Sequence, residues 1–236
     1  MSKLSSQTIR SRAVAFCAAM VFVLTGAIST AHADTQAIMS WKATNYVPSW
    51  YKGRVMPGYG SRVTVGLDVL ENGKIADISK KTIRWYMNDN LVQNETNGLG
   101  LQSYTFRNSS LSQDPITVRV SILDYNGQPL DQLVRIPVVS PEVVIDAPYY
   151  DRRIEKGSSI FSALPFFFNI ANPSQLRLAW NINGADMSGD KTDPNKLTFV
   201  MPAGVDSGTE FAVKATADSL NDIYSSAEKT VQFLTK

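Results

Sequence analysis

The chain has 236 residues, 44% hydrophobic and 19% charged, with one Cys and one His. Its formal charge of +2 misleads: removing the cations of the first 33 residues (Lys3, Arg10, Arg12) takes Lys+Arg from 23 to 20 against 21 Asp+Glu, leaving the rest near −1 and without a basic face for nucleic acid or anionic lipid. Cys17 and His32 lie in the same segment, so the remainder excludes an intrachain disulfide, thiolate or imidazole metal ligation, and any Ser-His-Asp or Cys-His centre.

Residues 1–33 read as a secretory signal peptide. A basic start precedes the apolar core AVAFCAAMVFVLTGAI (13–28), and Ala31-His32-Ala33 sets small residues at −3 and −1 of a cut before Asp34. The apolar run is short of the roughly 20 residues of a spanning helix, which favours cleavage over retention as an anchor. Cys17 lies inside the apolar core and not at its end, against a lipoprotein. No second long apolar stretch follows, so no membrane span is expected after cleavage.

Beyond Asp34 the apolar residues alternate with period two. RVTVGLDVL (62–70), TIRWYM (82–87), LQSYTF (101–106), ITVRVSIL (116–123) and LVRIPVV (133–139) predict strands, and Asn72-Gly73 and Asn126-Gly127 predict tight turns. The pattern then repeats. Trp85 in IRWYMND aligns with Trp180 in LAWNING, and TVRVSI (117–122) with AVKATA (212–217), both at an offset of 95; YTF (104–106) aligns with LTF (197–199) at 93, and Gly60-Ser61 with Gly157-Ser158. Four landmarks in one order predict two copies of a unit of about 100 residues and about seven strands, the size of an immunoglobulin-like sandwich. Trp85 and Trp180 are expected as core anchors facing the opposite sheet. The boundary is set near Ser140-Pro141: signal peptide 1–33, first sandwich 34–140, second sandwich 141–236. IPVVSPEVVIDAP (136–148) holds three prolines and no Gly, which predicts a short, stiff junction.

WKATNYVPSWYKGRVMPGYGSRVTVGLDV, WYMND, IPVVSPEVVID and ALPFFFNI together resemble bacterial tandem Ig-like or PKD-like envelope proteins. The resemblance is one of pattern over most of the chain beyond the signal. It implies an all-β protein of two tandem immunoglobulin-like β-sandwich domains, exported to the cell envelope, and brings no catalytic residues.

The remaining constellations each carry a sharp and a plain reading. GADMSGDKTDPN (184–195) supplies Asp186, Asp190 and Asp193, but their spacing of four and three lacks the calcium-loop order, and Asp, Asn and Gly also favour turns. NDNLVQNETNG (88–98) offers mainly amides, so no metal and no cofactor is expected. Gly58-Tyr59-Gly60-Ser61 precedes a strand and does not open a helix, against phosphate binding. Catalytic motifs are absent, and a two-carboxylate glycosidase site would need a cleft that small sandwiches rarely enclose. Asn94-Glu95-Thr96 and Asn108-Ser109-Ser110 match glycosylation acceptors and mark expected surface positions.

Two stretches are candidate binding surfaces. Trp41, Tyr46, Trp50, Tyr51 and Tyr59 crowd the region ahead of the RVTVGLDVL strand, beside Lys42, Lys52 and Arg54; they form either a stacking platform for sugar rings or a cover for the sandwich end. Phe166, Phe167 and Phe168 cannot all face one core on a strand, so they are either covered by the interdomain contact or a neighbouring loop, or exposed as a docking patch. The expected function is that of an exported, non-catalytic protein with a structural, adhesive or protein-binding role, its partner an envelope protein or a cell-wall glycan. A carbohydrate-binding module using Trp41–Tyr51 and a two-domain periplasmic chaperone are the alternatives. Oligomeric state and exported compartment (periplasm, surface or medium) are open at this level.

Overall fold

The computed structural model describes residues 35–93, 98–147 and 149–236. The expected signal segment and Asn94-Glu95-Thr96 lie outside these residues. Among the described residues every regular element is a strand, apart from one short 3-10 turn at Pro173–Gln175.

The first half holds β1 (Thr35–Ala43), β2 (Arg62–Glu71), β3 (Lys74–Ile75), β4 (Ile83–Met87), β5 (Asn90–Gln93), β6 (Ser103–Arg107), β7 (Ile116–Tyr125) and β8 (Gln128–Ile136). One sheet carries β1 against β2, with β6 and the short β3 on the other side of β2; the second runs β5-β4-β7-β8. The second half holds β9 (Glu142–Asp146), β10 (Arg153–Ile154), β11 (Ser158–Phe166), β12 (Leu176–Ile182), β13 (Ala185–Met187), β14 (Lys196–Val200), β15 (Glu210–Ser219) and β16 (Ser226–Thr235). Its sheets run β14-β11-β9 and β10-β16-β15-β12-β13. The molecule is therefore a pair of tandem immunoglobulin-like β-sandwiches. The two-residue β3 and β10 raise the strand number of each above the expected seven.

Alternation builds each core. Val63, Val65, Leu67 and Val69 of β2 face Val118, Val120 and Ile122 of β7, while Phe211, Val213, Ala215 and Ala217 of β15 do the same in the second sandwich. The sequence repeat becomes a repeat of position. Trp85 on β4 pairs with Val120, and Trp180 on β12 pairs with Ala215, so both members of the pair are displaced by the same 95 residues. Both indoles are buried, at 0% and 2% exposure. Each Nε1–H donates to the carbonyl of the residue two positions before the second strand on: Trp85 to Leu101, ahead of β6, at 2.9 Å and Trp180 to Pro194, ahead of β14, at 3.2 Å. The buried ring thus also satisfies its one polar atom.

The turns follow the backbone that Asn and Gly allow. Asn72-Gly73, Asn126-Gly127 and Asn183-Gly184 have successive φ of 51 and 77°, 55 and 84°, and 49 and 87°. This is the left-handed pair of a type I′ hairpin, whose twist matches the flanking strands. The loop after β13 uses its own carboxylates. Asp190 accepts from the amide and hydroxyl of Thr192, and Asp193 accepts from Asn195 and pairs with Lys196 at 3.2 Å.

Candidate functional site

The two aromatic stretches of the sequence meet each other at the junction between the sandwiches. Residues 44–61, between β1 and β2, leave the first sandwich and lean on the end of β11. Tyr46 forms an antiparallel bridge with Phe168: its amide donates to the Phe168 carbonyl at 2.8 Å, and the Phe167 amide donates to the Tyr46 carbonyl at 2.7 Å. The contact shields the Tyr46 phenol from water and raises its pKa.

The three consecutive phenylalanines sort themselves by a break in backbone phase. Phe161 and Ala163 of β11 face the second core, so Phe166 falls on the opposite face of the strand. There the first sandwich covers it: Trp50 and Tyr51 meet its ring edge-on, with centroids 5.9 and 5.7 Å away. Phe167 takes a φ of 61°, a left-handed conformation unusual for a bulky residue. That turn resets the alternation, sends Phe168 into the second core at 0% exposure, and leaves Phe167 against Tyr51 at 6.0 Å. Tyr59 makes a further edge contact across the junction with Tyr224, at 5.4 Å. Trp41 stays on β1, half-buried, with the Arg54 guanidinium 4.7 Å over its ring.

Beneath the aromatics lies a buried polar network with no counterpart among the sequence expectations. Asn45 donates to the carbonyls of Met56 and Phe167, each at 2.9 Å, and accepts from the Ser61 hydroxyl at 2.6 Å. The same Ser61 oxygen accepts from the Gly58 amide at 2.8 Å, and Asn108 donates to the Gly58 carbonyl at 3.0 Å. Asn45, Ser61 and Asn108 are all buried. Asn108 is thus a correction to the expected surface acceptor: its amide is spent inside, where an unmet Gly58 carbonyl would cost stability. The connection between sandwiches is tied to the same hub, through Val139, whose amide donates to Pro57 at 3.0 Å. A Cβ on Gly58 would sit 2.9 Å from the Val139 carbonyl oxygen, and one on Gly60, whose φ is 75°, 2.6 Å from the Asn169 amide nitrogen. Gly58 and Gly60 thus serve close packing, Gly58 against the connection at Val139 and Gly60 against Asn169 of the second sandwich.

Of the aromatics singled out in the sequence, one remains open. Trp50 is 57% exposed and stands at the rim of a groove of about 260 Å³ between the loop and the second sandwich. The opposite wall includes Asp193, Asn195 and Lys196. Partial burial works against ionisation of Asp193, but hydrogen bonds from Asn195 and Lys196 outweigh it and hold the carboxyl below its usual range. At neutral pH the groove therefore offers an aromatic face, a fixed carboxylate, an amide and an ammonium. Such groups can stack on, hydrogen-bond to or ion-pair with a ligand.

No family model matches the sequence, and no curated protein matches it. Among solved structures the chain is similar to the fibronectin(III)-like modules of Clostridium thermocellum CbhA (11% identity, TM-score 0.29, covering 82% of this chain and 94% of that one). It is also similar to the three N-terminal domains of the outer capsid protein Hoc of bacteriophage RB49 (12%, TM-score 0.42, 85% of this chain and 59% of that one) and to the tandem Ig repeats of Dlar (10%, TM-score 0.29, 87% and 99%). The likeness is one of fold.

Proposed function

We propose that this chain is an exported, non-catalytic binding protein of a bacterial cell envelope. Sandwiches 34–140 and 141–236 act as one stiff body, and the partner is held at the junction beside Trp50. The supporting observation is how the aromatics are shared out: Tyr46, Tyr51, Phe166, Phe167 and Phe168 are used in joining the sandwiches, and Trp50, which meets Phe166 edge-on, stays more than half exposed over a polar groove. A stiff body suits such a role because little orientational entropy is lost on binding. Crosslinking in intact cells, with a photoreactive residue at Ser49 or Lys52, tests the reading. Capture of one envelope protein through these positions is expected; capture only through probes on distant strands would overturn it.

The open Trp50 beside Asp193 and Asn195 also favours a second reading, stacking on a sugar ring of a cell-wall glycan. For that reading Trp50→Ala lowers retention on purified cell wall by about tenfold or more, as loss of a central aromatic anchor does, while circular dichroism shows the fold retained. Equal retention of the variant and the parent protein rejects the glycan.

A further inference from the structure

We infer that β8, an outer strand of the first sandwich, pairs with β8 of a second copy of the chain to form a two-fold dimer. The second sandwich shows what the equivalent edge does when it is covered. There the outward amides of Leu234 and Lys236 donate to Arg152 and Ile154, both at 2.9 Å, as β10 runs parallel to the end of β16. In the first sandwich no strand among the described residues hydrogen-bonds to that edge: β1 runs close to β8 but pairs with β2, and β8 borders its sheet.

The direction of the free backbone groups of β8 follows from its neighbours. The Thr117 carbonyl accepts from Asn88, on the β4 side of β7, at 2.8 Å. In an antiparallel ladder these directions alternate, so Val118, Val120 and Ile122 face β8 and exchange bonds with Val134, Gln132 and Leu130. Asp131, Leu133 and Arg135 therefore turn their amides and carbonyls outward. Their side chains share the solvent face, with Leu133 at 45% exposure, while Leu130 and Val134 pack on the core.

This edge is complementary to itself in one register. With Leu133 opposite Leu133 of the second copy, Asp131 lies opposite Arg135 and Arg135 opposite Asp131. The three pairs are those whose backbone groups point outward, so each can exchange two hydrogen bonds. Opposite charges facing across strands stabilise such a pair, and like charges oppose it. Pro129 and Pro137 lack amides and close the ladder at both ends, which disfavours longer or shifted pairings. Asp131 already has Arg119 at 3.7 Å within its own sheet, so it brings a pre-set carboxylate to the second copy's Arg135. The contact is isologous, as a two-fold dimer requires, and joins two four-stranded sheets into one.

Sedimentation equilibrium of the purified protein, up to about 100 μM, tests the proposal in the range where such small interfaces associate. The parent chain dimerises. Asp131→Arg and Arg135→Asp each raise the dissociation constant about tenfold or more, because each sets like charges opposite one another twice. The double variant Asp131→Arg/Arg135→Asp restores the dimer. Leu133→Pro, which removes an outward amide the fold does not use, gives a monomer with native circular dichroism. Amide exchange by NMR adds a readout independent of these variants: protection at Asp131, Leu133 and Arg135 rises with protein concentration, while Val134 is protected throughout. A parent chain monomeric at the highest concentration, a dimer indifferent to Asp131→Arg, a double variant that stays monomeric, or concentration-independent exchange at Leu133 would each overturn the proposal.

Discussion

Trp85 and Trp180 show how much a single side chain carries here. A Trp ring buries about 150–250 Å², roughly 4–6 kcal/mol of gross transfer energy at about 25 cal/mol per Å². That matches or exceeds the about 2–4 kcal/mol that a cross-sheet disulfide supplies. A sandwich without cysteine is held from within by such a ring. Trp85→Ala or Trp180→Ala is expected to cost about 3–5 kcal/mol, leaving both a cavity and an unmet carbonyl at Leu101 or Pro194. Urea denaturation measures this directly, and a change in melting temperature under about 2 °C would count against the rings as anchors. Trp180→Phe separates the two contributions: it keeps most of the apolar surface and loses the hydrogen bond, for about 1–2 kcal/mol.

At the scale of elements, the segment of residues 44–61 decides how the sandwiches sit. It belongs to the first sandwich by connection and to the second by contact, through Tyr46 and Phe168. The polar hub at Asn45 makes that contact specific, since aromatic edges alone tolerate many orientations. Asn45→Ala leaves the Ser61 hydroxyl and the Phe167 carbonyl without this partner. A loss of about 1–3 kcal/mol is expected, together with a broader distribution of interdomain orientation in small-angle scattering. Unchanged scattering and an unchanged urea midpoint would show that the aromatics suffice. The left-handed Phe167 belongs to the same device. Its strain, on the order of 1–2 kcal/mol, is offset by bonds from both neighbours in the first sandwich: Asn45 to its carbonyl and its own amide to Tyr46.

Across the whole molecule, charge is spent on tying turns and strands, and this sets the response to acid. Hydrogen bonds from Ser226 and Arg177 hold Asp218 below its ordinary range, and bonds from Thr192 and Ser79 do the same for Asp190 and Asp77. A carboxylate whose pKa is lower folded than unfolded contributes stability above its unfolded value, near 4, and loses it as pH falls through the folded one. The urea midpoint is therefore expected to hold from pH 7 to about 5 and to fall below about pH 4; a constant midpoint down to pH 3 would contradict these ties. Much of the architecture was legible in the sequence because it is local and periodic. Period-two alternation marked β2, β4 and β7, Asn-Gly pairs marked the hairpins, and the constant offset from Trp85 to Trp180 marked two copies of one unit. The candidate site was legible only as parts. Composition singled out the aromatics at 41–59 and the three phenylalanines, but contacts between residues over a hundred positions apart leave no periodic trace. Asn45, Ser61 and Asn108 look like ordinary loop residues, and Asn108 even like a surface acceptor, until the chain is folded around Gly58. Sequence alone thus determined the all-β, twofold plan, because side-chain alternation and turn chemistry act between near neighbours. Tertiary structure decided that the two aromatic stretches cover each other and leave Trp50 open, because burial depends on what the rest of the chain brings to the same place.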